Sequence, residues 1–354
     1  MEIVITIVVF LAILSVLVLI HEFGHFIVAR MFGVHVEEFG LGFPPRVFGR
    51  QKGKTLYSLN WIPLGGFVKL KGEQGESNDT DSFASKKVWQ RICILAAGVF
   101  MNYFLTVAIF TATALTGMPQ ILDDGLQSGG TVREEKIQIT AVLQNYPAAN
   151  AGMLPGDAMV ALDKQPVTSI TQIQEYMKSH AGENISVEVA RGSDHLTKEM
   201  TPVLIKESGA FGIGIGLAHT GIVTYPPLRA FAVAITTSIA MAGNIFSMLG
   251  NAVRHFAFDG FVGPVGIAVY TSTVTKLGFA YLLNLIAQLS LSLAVINFLP
   301  IPALDGGRAL FVLIEKFRGR SVEPAVENAI HMAGFAILLC LLVLVTIRDI
   351  AKLF

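Results

Sequence analysis

Charged residues are scarce in this sequence. Lys, Arg, Asp and Glu make up 15% of its 354 residues, whereas a typical soluble domain carries about a quarter. The formal net charge is zero, so the sequence lacks the excess of basic residues that a nucleic-acid partner requires. Hydrophobic residues make up 53%, and this composition predicts a membrane protein in contact with the lipid bilayer.

Cysteine is also scarce. Cys93 and Cys340 both lie in apolar runs, which favours buried thiols and excludes a disulfide framework or a cysteine metal site. The N-terminus lacks the basic region and the small-residue cleavage site of a signal peptide, because Met1 and Glu2 lead directly into an apolar run. We therefore expect this run to be a retained membrane span.

Four apolar segments are predicted to cross the bilayer. They cover residues 3–29, 92–115, 278–299 and 329–347. The loops 33–91 and 308–320 are rich in Lys and Arg, which places both in the cytoplasm by the positive-inside rule. Both termini and region 118–225 then lie outside. The twelve acidic and seven basic residues of 118–225 agree with that side.

The first apolar segment contains HEFGH, from His21 to His25. Two histidines four residues apart lie on one side of a helix and can hold one zinc ion. Glu22 can take a proton from a water that zinc has made acidic. An unpaired carboxylate is costly inside a membrane helix, and no Lys or Arg lies within this span. A hydrolytic zinc site is therefore favoured over a structural polar face.

A catalytic zinc ion takes three protein ligands and keeps one position open. Asp305, in NFLPIPALDGG, is predicted to be the third ligand. Pro300 and Pro302 interrupt the third span before it, and Gly306 and Gly307 are expected to allow a tight turn after it. A simple turn aspartate at the membrane edge is the alternative.

Asn102 and Asn297 are candidate substrate contacts. Either side chain could hold the substrate backbone or stabilise an oxyanion. An interhelical hydrogen bond explains each residue equally well. Gly98, four residues before Asn102, is expected to let two helices pack closely.

Residues 228–256 are apolar but are predicted not to cross. If they crossed inward, residues 278–299 would run outward and carry Asp305 to the face opposite His21. Their apolar residues also recur at steps of three and four, which gives a single apolar stripe. We therefore predict an amphipathic helix at the outer face of the membrane.

Three motifs, HEFGH, GVFMN and NFLPIPALDGG in this order, resemble the site-2 protease family of intramembrane zinc metalloproteases. The bacterial regulator-of-sigma-E protease group is the most similar branch, and the resemblance covers nearly the whole chain. It implies that Zn²⁺ is held by His21, His25 and Asp305, that Glu22 is the catalytic base, and that both asparagines named above lie near the substrate. The implied substrates are single-span membrane proteins, such as anti-sigma factors or signal-peptide remnants.

A protease of this kind needs its helical substrate in an extended form. LYSLNWIPLGGFVKL predicts two short cytoplasmic strands around a Pro-Leu-Gly-Gly turn. The second strand, with Gly65, Gly66, Phe67 and Val68, is a candidate edge that pairs with the unwound substrate. An ordinary hairpin that covers the site is the alternative.

Region 118–225 resembles one PDZ domain. Its segment QNYPAANAGMLPGDAMVALDKQPVTSITQIQEYM predicts a strand, a turn, a second strand and a short helix, and ISVEV and FGIGIG supply later strands. PDZ domains bind an extended peptide at a sheet edge, although a module used only for packing would have the same pattern. Some relatives in this branch carry two such domains in tandem.

The predicted fold is a mainly α-helical polytopic membrane protein with four transmembrane helices, a cytoplasmic β-hairpin region and one extracytoplasmic α+β PDZ domain. The predicted divisions are residues 1–117, 118–225, 226–277 and 278–354. The resemblance implies regulated intramembrane proteolysis in the bacterial cytoplasmic (inner) membrane, with the active site toward the cytoplasm. A membrane-anchored PDZ binding protein with a non-catalytic metal site is the alternative. A metal transporter would need more polar residues along its spans.

Overall fold

The computed structural model describes residues 2–73, 79–122, 129–192, 194–206, 208–255, 260–320 and 322–352. Their contacts divide them into two compact units. Unit 1 comprises Met1–Phe110, Ala234–Thr273 and Asn284–Phe354, and unit 2 comprises Thr111–Val233 and Val274–Leu283.

The helices are α1 (Glu2–Met31), α2 (Val88–Thr116), α3 (Pro147–Asn150), α4 (Ile170–Ser179), α5 (Pro227–His255), α6 (Pro264–Leu277), α7 (Phe279–Phe298), α8 (Asp305–Arg318) and α9 (Pro324–Ala351). The strands are β1 (Val36–Lys52), β2 (Thr55–Leu70), β3 (Met118–Ile121), β4 (Thr131–Val142), β5 (Ala158–Leu162), β6 (Gln165–Pro166), β7 (Ile185–Arg191), β8 (Asp194–Met200), β9 (Val203–Ile205), β10 (Ala210–Gly212) and β11 (Ile215–Thr224).

Five helices in the described residues are long and apolar enough to cross a membrane: α1, α2, α5, α7 and α9. Four of them coincide with the four predicted spans. The fifth, α5, is the segment that was predicted to be a helix at the membrane surface. Residue 256, the last of that predicted segment, lies outside the described residues.

The apolar stripe predicted along α5 is largely exposed. Leu228, Phe231 and Ile239 are 91%, 53% and 59% exposed. The buried side chains of this helix are small instead, as at Ala234 and Ser238. In unit 1 the Ser238 hydroxyl donates to the Tyr103 hydroxyl of α2, 3.1 Å away. The large apolar side chains therefore face outward, as lipid contact requires.

One hydrophobic core in unit 1 joins α1, α2, α8 and the strand pair. It includes Phe26, Ile94, Val312 and Leu70, which are all nearly inaccessible to solvent. A single packed core fixes its elements closely. Since α1 carries HEFGH and α8 begins at Asp305, this core sets the position of both halves of the candidate site.

Strands β1 and β2 differ from the predicted hairpin. Segment 36–41 of β1 lies between two segments of β2. It pairs with 56–59 on one side and with 66–70 on the other, so these two segments of β2 do not pair with each other. Segment 46–52 of β1 pairs with the other side of 55–60. The prediction missed the strand at 36–41, which lies between the two expected strands. As a result, 66–70 is an edge strand within the described part of the sheet.

Unit 2 contains a sheet in the order β3-β11-β4-β5-β7-β8. Helix α4 is capped by Ser169, whose side chain accepts a hydrogen bond from Gln172 N, and it buries Ile173 and Met177. The second strand, the short helix and the ISVEV strand follow the prediction as β5, α4 and β7, but the strand expected at the start of the segment ends earlier, at Val142, and the Pro-Ala turn is the short helix α3. The expected FGIGIG strand is interrupted, because β10 ends at Gly212 and β11 begins at Ile215.

Candidate metal centre

His21 and His25 project from the last third of α1. Their Nε2 atoms lie 3.2 Å apart, and the residues are 7% and 8% exposed. The four-residue spacing gives this arrangement directly, because one helical turn separates the two rings. The predicted placement of both histidines on one side of the helix is therefore observed.

Asp305 completes the cluster from the other end of the chain. Its Oδ2 atom lies 2.9 Å from His21 Nε2 and 3.4 Å from His25 Nε2. Helix α7 ends at Phe298 and α8 begins at Asp305, so the proline-containing loop carries the aspartate to the histidines. The predicted interruption of the third span is confirmed.

The role predicted for Gly306 and Gly307 is wrong, because both lie in the first turn of α8. A Cβ atom at Gly306 would lie 2.3 Å from Leu299 O, and one at Gly307 would lie 2.2 Å from Ile301 O. These glycines allow the preceding loop to approach the helix closely. The left-handed turn is made by Ala303, with φ of 76°.

Neighbouring groups orient both imidazoles. His25 Nδ1 donates to Ile94 O at 2.7 Å, which leaves Nε2 free to bind a metal. His21 Nδ1 lies 3.4 Å from the buried amide of Asn102, whose Oδ1 has no hydrogen-bond partner. Amide nitrogen and oxygen are assigned from their surroundings. Rotation of this amide would let Oδ1 accept from Nδ1–H and leave His21 Nε2 free.

Gly98 of α2 faces both histidines. A Cβ atom there would lie 2.4 Å from His25 Nε2 and 2.6 Å from His21 Cε1. The sequence suggested that Gly98 permits close helix packing, and the structure shows that the close partner is the pair of imidazoles. A larger residue at this position would displace the ligands.

The donor set fits a zinc ion. His21, His25 and Asp305 are the cluster of three metal-ligating side chains in the described residues, with ligand atoms within 4.8 Å of one another. Zinc–nitrogen bonds of about 2.1 Å in tetrahedral geometry separate two ligand atoms by about 3.4 Å, close to the separations observed here. Asp305 Oδ2 is buried and receives no hydrogen bond, so a cation would satisfy it.

Glu22 borders the same site. It lines a cavity of about 220 Å³ together with His21, Asn102, Asn297 and Asp305. The structure thus brings both predicted asparagines to the candidate site. Asn297 borders the cavity, and Asn102 also lies against a candidate ligand.

The predicted substrate strand lies beside this cavity. A Cβ atom at Gly65 would lie 3.7 Å from Val18 of α1, and one at Gly66 would lie 3.7 Å from Glu22 Cγ. Phe67 and Val68 continue the edge strand and pair with Gly40 and Phe39 of β1. The strand begins next to the candidate base.

Sequence reasoning missed the residues that hold the Asp305 loop from α9. The backbone N–H of Ala303 donates to His331 Nδ1 at 2.8 Å. Gly334 packs against Pro302, where an added Cβ would lie 2.6 Å from Pro302 Cβ. The available signal was a histidine and a glycine three residues apart, in a segment predicted to span the membrane.

Comparison with known proteins identifies the family. The profile of peptidase family M50 matches residues 9–341. The chain belongs to this peptidase family. The M50 protein is 36% identical to a Clostridium perfringens protein that is provisionally named a zinc metalloprotease. The match covers 95% of this chain and 96% of the relative. The M50 protein is also 29% identical to the zinc metalloprotease RasP of Bacillus licheniformis, over 99% of both chains.

Part of the M50 protein is also similar to solved PDZ domains. The PDZ domain of an SdrC-like protein from Listeria monocytogenes is 23% identical and covers 25% of this chain and 92% of its own, with a TM-score of 0.22. The second domain of a related Listeria protein is 26% identical. That match covers 25% of this chain and 87% of the Listeria domain, with a TM-score of 0.21.

Proposed function

We propose that this M50 peptidase is an intramembrane zinc endopeptidase that cleaves the transmembrane segments of single-span membrane proteins. Anti-sigma factors and signal-peptide remnants are the proposed substrate types. The observation that carries the proposal is the meeting of Asp305 with His21 and His25, which lie with Glu22 on a helix long and apolar enough to cross a bilayer. A hydrolytic site inside the bilayer is of use only for substrates that are also there.

The residues have distinct roles in this proposal. Zinc would supply Lewis acidity and make water a nucleophile near neutral pH. Glu22 removes the proton from that water and later gives a proton to the leaving amine. Asn297, which lines the same cavity, donates an amide N–H to the substrate carbonyl as negative charge develops there. Asn102 orients His21.

The substrate is proposed to bind as an added strand. The edge strand 66–70 starts beside Glu22 and leaves one side unpaired within the described sheet. A helix has its backbone hydrogen bonds within itself, so an unwound segment needs new partners for those groups. Strand addition supplies them and aligns the scissile bond with the base.

Proline at Val68 is expected to slow cleavage about tenfold while the zinc content stays at one per chain. Proline removes a backbone donor and disturbs the edge, and a hydrogen bond of about 1.4 kcal/mol corresponds to tenfold in rate. Hydrolysis of an extended peptide and of a helical span, measured in detergent, should both fall. Val47→Pro in segment 46–52, at the opposite edge of the sheet, is the control. Cleavage by Val68→Pro at the wild-type rate would mean that this strand covers the site but does not pair with the substrate.

Unit 2 is proposed to be a PDZ domain that binds a peptide or protein ligand. A cavity of about 870 Å³ runs between α4 and the segment from β10 to β11. Its walls include the apolar side chains of Leu143, Ile173, Met177 and Phe211. This strand–helix groove is where an extended chain can be added to a PDZ sheet.

The competing function is a membrane-anchored PDZ binding protein with a non-catalytic metal site. Such a protein has no need for a carboxylate beside the ligands or for a cavity next to it, whereas Glu22 lines that cavity here. Both observations favour the enzyme.

The test of the proposed function joins metal analysis with an assay. Detergent-purified protein is expected to hold one zinc ion per chain and to cleave a membrane-embedded reporter. His21→Ala and Asp305→Ala should lose both properties, because two ligands alone hold zinc weakly. His255→Ala, at an exposed histidine of α5, is the control. Zinc retained in both ligand variants would refute the site, and zinc without cleavage would favour the binding protein.

The proposed location is the bacterial cytoplasmic membrane, with four crossings, both termini and the PDZ domain outside, and α5 at the outer face. Two observations in unit 1 support this topology. His331 contacts the Asp305 loop, and Asp349, about 27 Å further along α9, accepts a hydrogen bond from Gly266 N at the start of α6. The start of α6 therefore lies far from the metal site, at the opposite end of α9.

Chain length then limits where α5 can end. Eight Cα–Cα steps lead from His255 to Gly263, and they can span at most about 29 Å. The cytoplasmic end of α1 lies about 13 Å beyond His21, which is about 40 Å from Asp349 when α1 and α9 both run along the membrane normal. That separation exceeds the reach of the connecting chain and supports an α5 that ends on the outer side.

A cysteine at position 255 is therefore expected to react with an impermeant thiol reagent added from outside. Cys93 and Cys340, which were predicted to be buried but are exposed, are first replaced by alanine. Lys178→Cys in unit 2 and Lys87→Cys before α2 serve as the outer and cytoplasmic references. Asp259, another position suited to this test, lies outside the described residues. Labelling of His255→Cys only from the cytoplasm would require five crossings.

A further inference from the structure

The loop between α7 and α8 holds Asp305 in an unusual conformation. Ala303 has φ of 76°, a left-handed value that is unfavourable for a residue with a Cβ atom. Glycine usually occupies such positions. The surroundings must therefore stabilise this turn, which lies two residues before the candidate zinc ligand.

Helix α9 supplies the stabilising contact. The backbone N–H of Ala303 donates to His331 Nδ1 over 2.8 Å. The His331 ring packs on Phe311 of α8, with ring centroids 5.2 Å apart, and its side chain is 16% exposed. One imidazole thus contacts both the loop before Asp305 and the helix that Asp305 begins.

A second contact fixes the same loop against α9. Pro302 lies against Gly334, one turn after His331, where an added Cβ would be 2.6 Å from Pro302 Cβ and O. Close approach is possible only because Gly334 has no side chain. The histidine and the glycine together form a docking surface for residues 302 and 303.

We propose that His331 is a positioning residue for the metal ligand Asp305. Its Nδ1 lone pair holds the left-handed turn at Ala303, which aims the carboxylate at His21 and His25. The inference rests on the proposed zinc site. His331 is not itself a ligand, because its Nδ1 is occupied by the Ala303 N–H, and the metal cluster among the described residues consists of the other three side chains.

The chemistry of the contact limits which replacements can work. An acceptor must occupy the δ position of residue 331, since a backbone N–H points at it. Asparagine carries an oxygen there, whereas leucine has a similar volume and no acceptor. The other ring nitrogen, Nε2, has no hydrogen-bond partner and lies 3.8 Å from Glu327 Oε1. Glu327→Gln therefore serves as a control for changes around the ring that spare the Ala303 contact.

The experiment measures zinc retention in the full-length protein in detergent. Wild type, His331→Leu, His331→Asn and Glu327→Gln are each loaded with one zinc ion and challenged with a chelator. We expect His331→Leu to bind zinc about 10- to 100-fold more weakly, as is usual when a group that orients a ligand is lost. His331→Asn should recover most of that loss, and Glu327→Gln should match wild type.

Two further measurements separate positioning from general damage. Amide hydrogen exchange at residues 299–305 should rise in His331→Leu and return toward wild type in His331→Asn, while the β1–β2 sheet stays protected. Reporter cleavage should show a lower kcat with a nearly unchanged KM, because the substrate-binding strand is untouched. A merely structural role would change all regions and would not depend on an acceptor at the δ position.

The outcomes are distinguishable from failure of the proposed function. Equal zinc retention in His331→Leu and wild type, or equal loss in His331→Leu and His331→Asn, would overturn the positioning role. If wild type retains zinc but cleaves no reporter, the proposed function fails. The chelator series would then still decide the role of His331.

Discussion

Glu22→Gln is expected to abolish measurable cleavage while the zinc content stays at one per chain. Glu22 lines the cavity that His21 and Asp305 also border. Loss of a general base commonly reduces the rate by about 10²- to 10⁴-fold. Glutamine keeps the size of the side chain and can still make hydrogen bonds, but it cannot accept a proton from water at neutral pH.

The measurement is single-turnover cleavage of a membrane-embedded reporter by protein of known zinc content. Glu188→Gln is the matched control, because Glu188 is a carboxylate of β7 in unit 2 whose Oε1 lies 3.0 Å from His195 Nδ1. It should cleave at the wild-type rate. Turnover by Glu22→Gln within a few-fold of wild type would mean that another group activates water. Loss of zinc in this variant would assign Glu22 a structural part in the site.

Gly98→Ala is expected to lose both zinc and activity, although it adds only one methyl group. That methyl would lie 2.4 Å from His25 Nε2 and 2.6 Å from His21 Cε1. Both imidazoles come from a single helix turn and are held by Ile94 O and Asn102, so they cannot move independently. Displacement of two ligands should weaken zinc binding by more than the roughly 100-fold seen when a ligand loses an orienting group.

The matched control is Gly243→Ala in α5, where an added Cβ has no atom within 4 Å. Both variants add the same group to a helix, and alanine favours a helix over glycine by about 1 kcal/mol. Helix propensity alone would therefore stabilise both proteins. Elemental analysis after purification gives the answer, and wild-type zinc content in Gly98→Ala would mean that the helices separate to make room.

The parts of the site that follow from local geometry could be predicted from the sequence. The positions of His21 and His25 depend only on helical periodicity. The approach of Asp305 to the histidines could be expected, because prolines interrupt the third span and a zinc ion needs a third ligand. These arguments involve neighbouring residues or general coordination chemistry, so no packing information was required.

The supporting contacts could not be predicted in the same way. Gly306 and Gly307 were expected in a turn, because Asp-Gly-Gly is typical of turns. The close approach of Leu299 O and Ile301 O instead makes glycine necessary inside α8. The contact of His331 with Ala303 joins residues 28 positions apart, and only the packing of α9 against the loop brings them together.

The order of strands in β1 and β2 illustrates the same limit. Two strands around the Pro-Leu-Gly-Gly turn were predicted as a hairpin. Segment 36–41 lies between them, and its two adjacent glutamates and its glycine gave a weak strand signal. Segment 66–70 is an edge strand, as the predicted substrate-pairing role requires, and the pairing itself stays a prediction.

The distance in sequence between His21 and Asp305 has a consequence for the biosynthesis of the protein. Synthesis proceeds from the N-terminus, and Asp305 follows His21 by 284 positions. During most of translation, α1 therefore carries two of the three clustered side chains without the third. A metal site built from all three residues cannot form until α8 has been made.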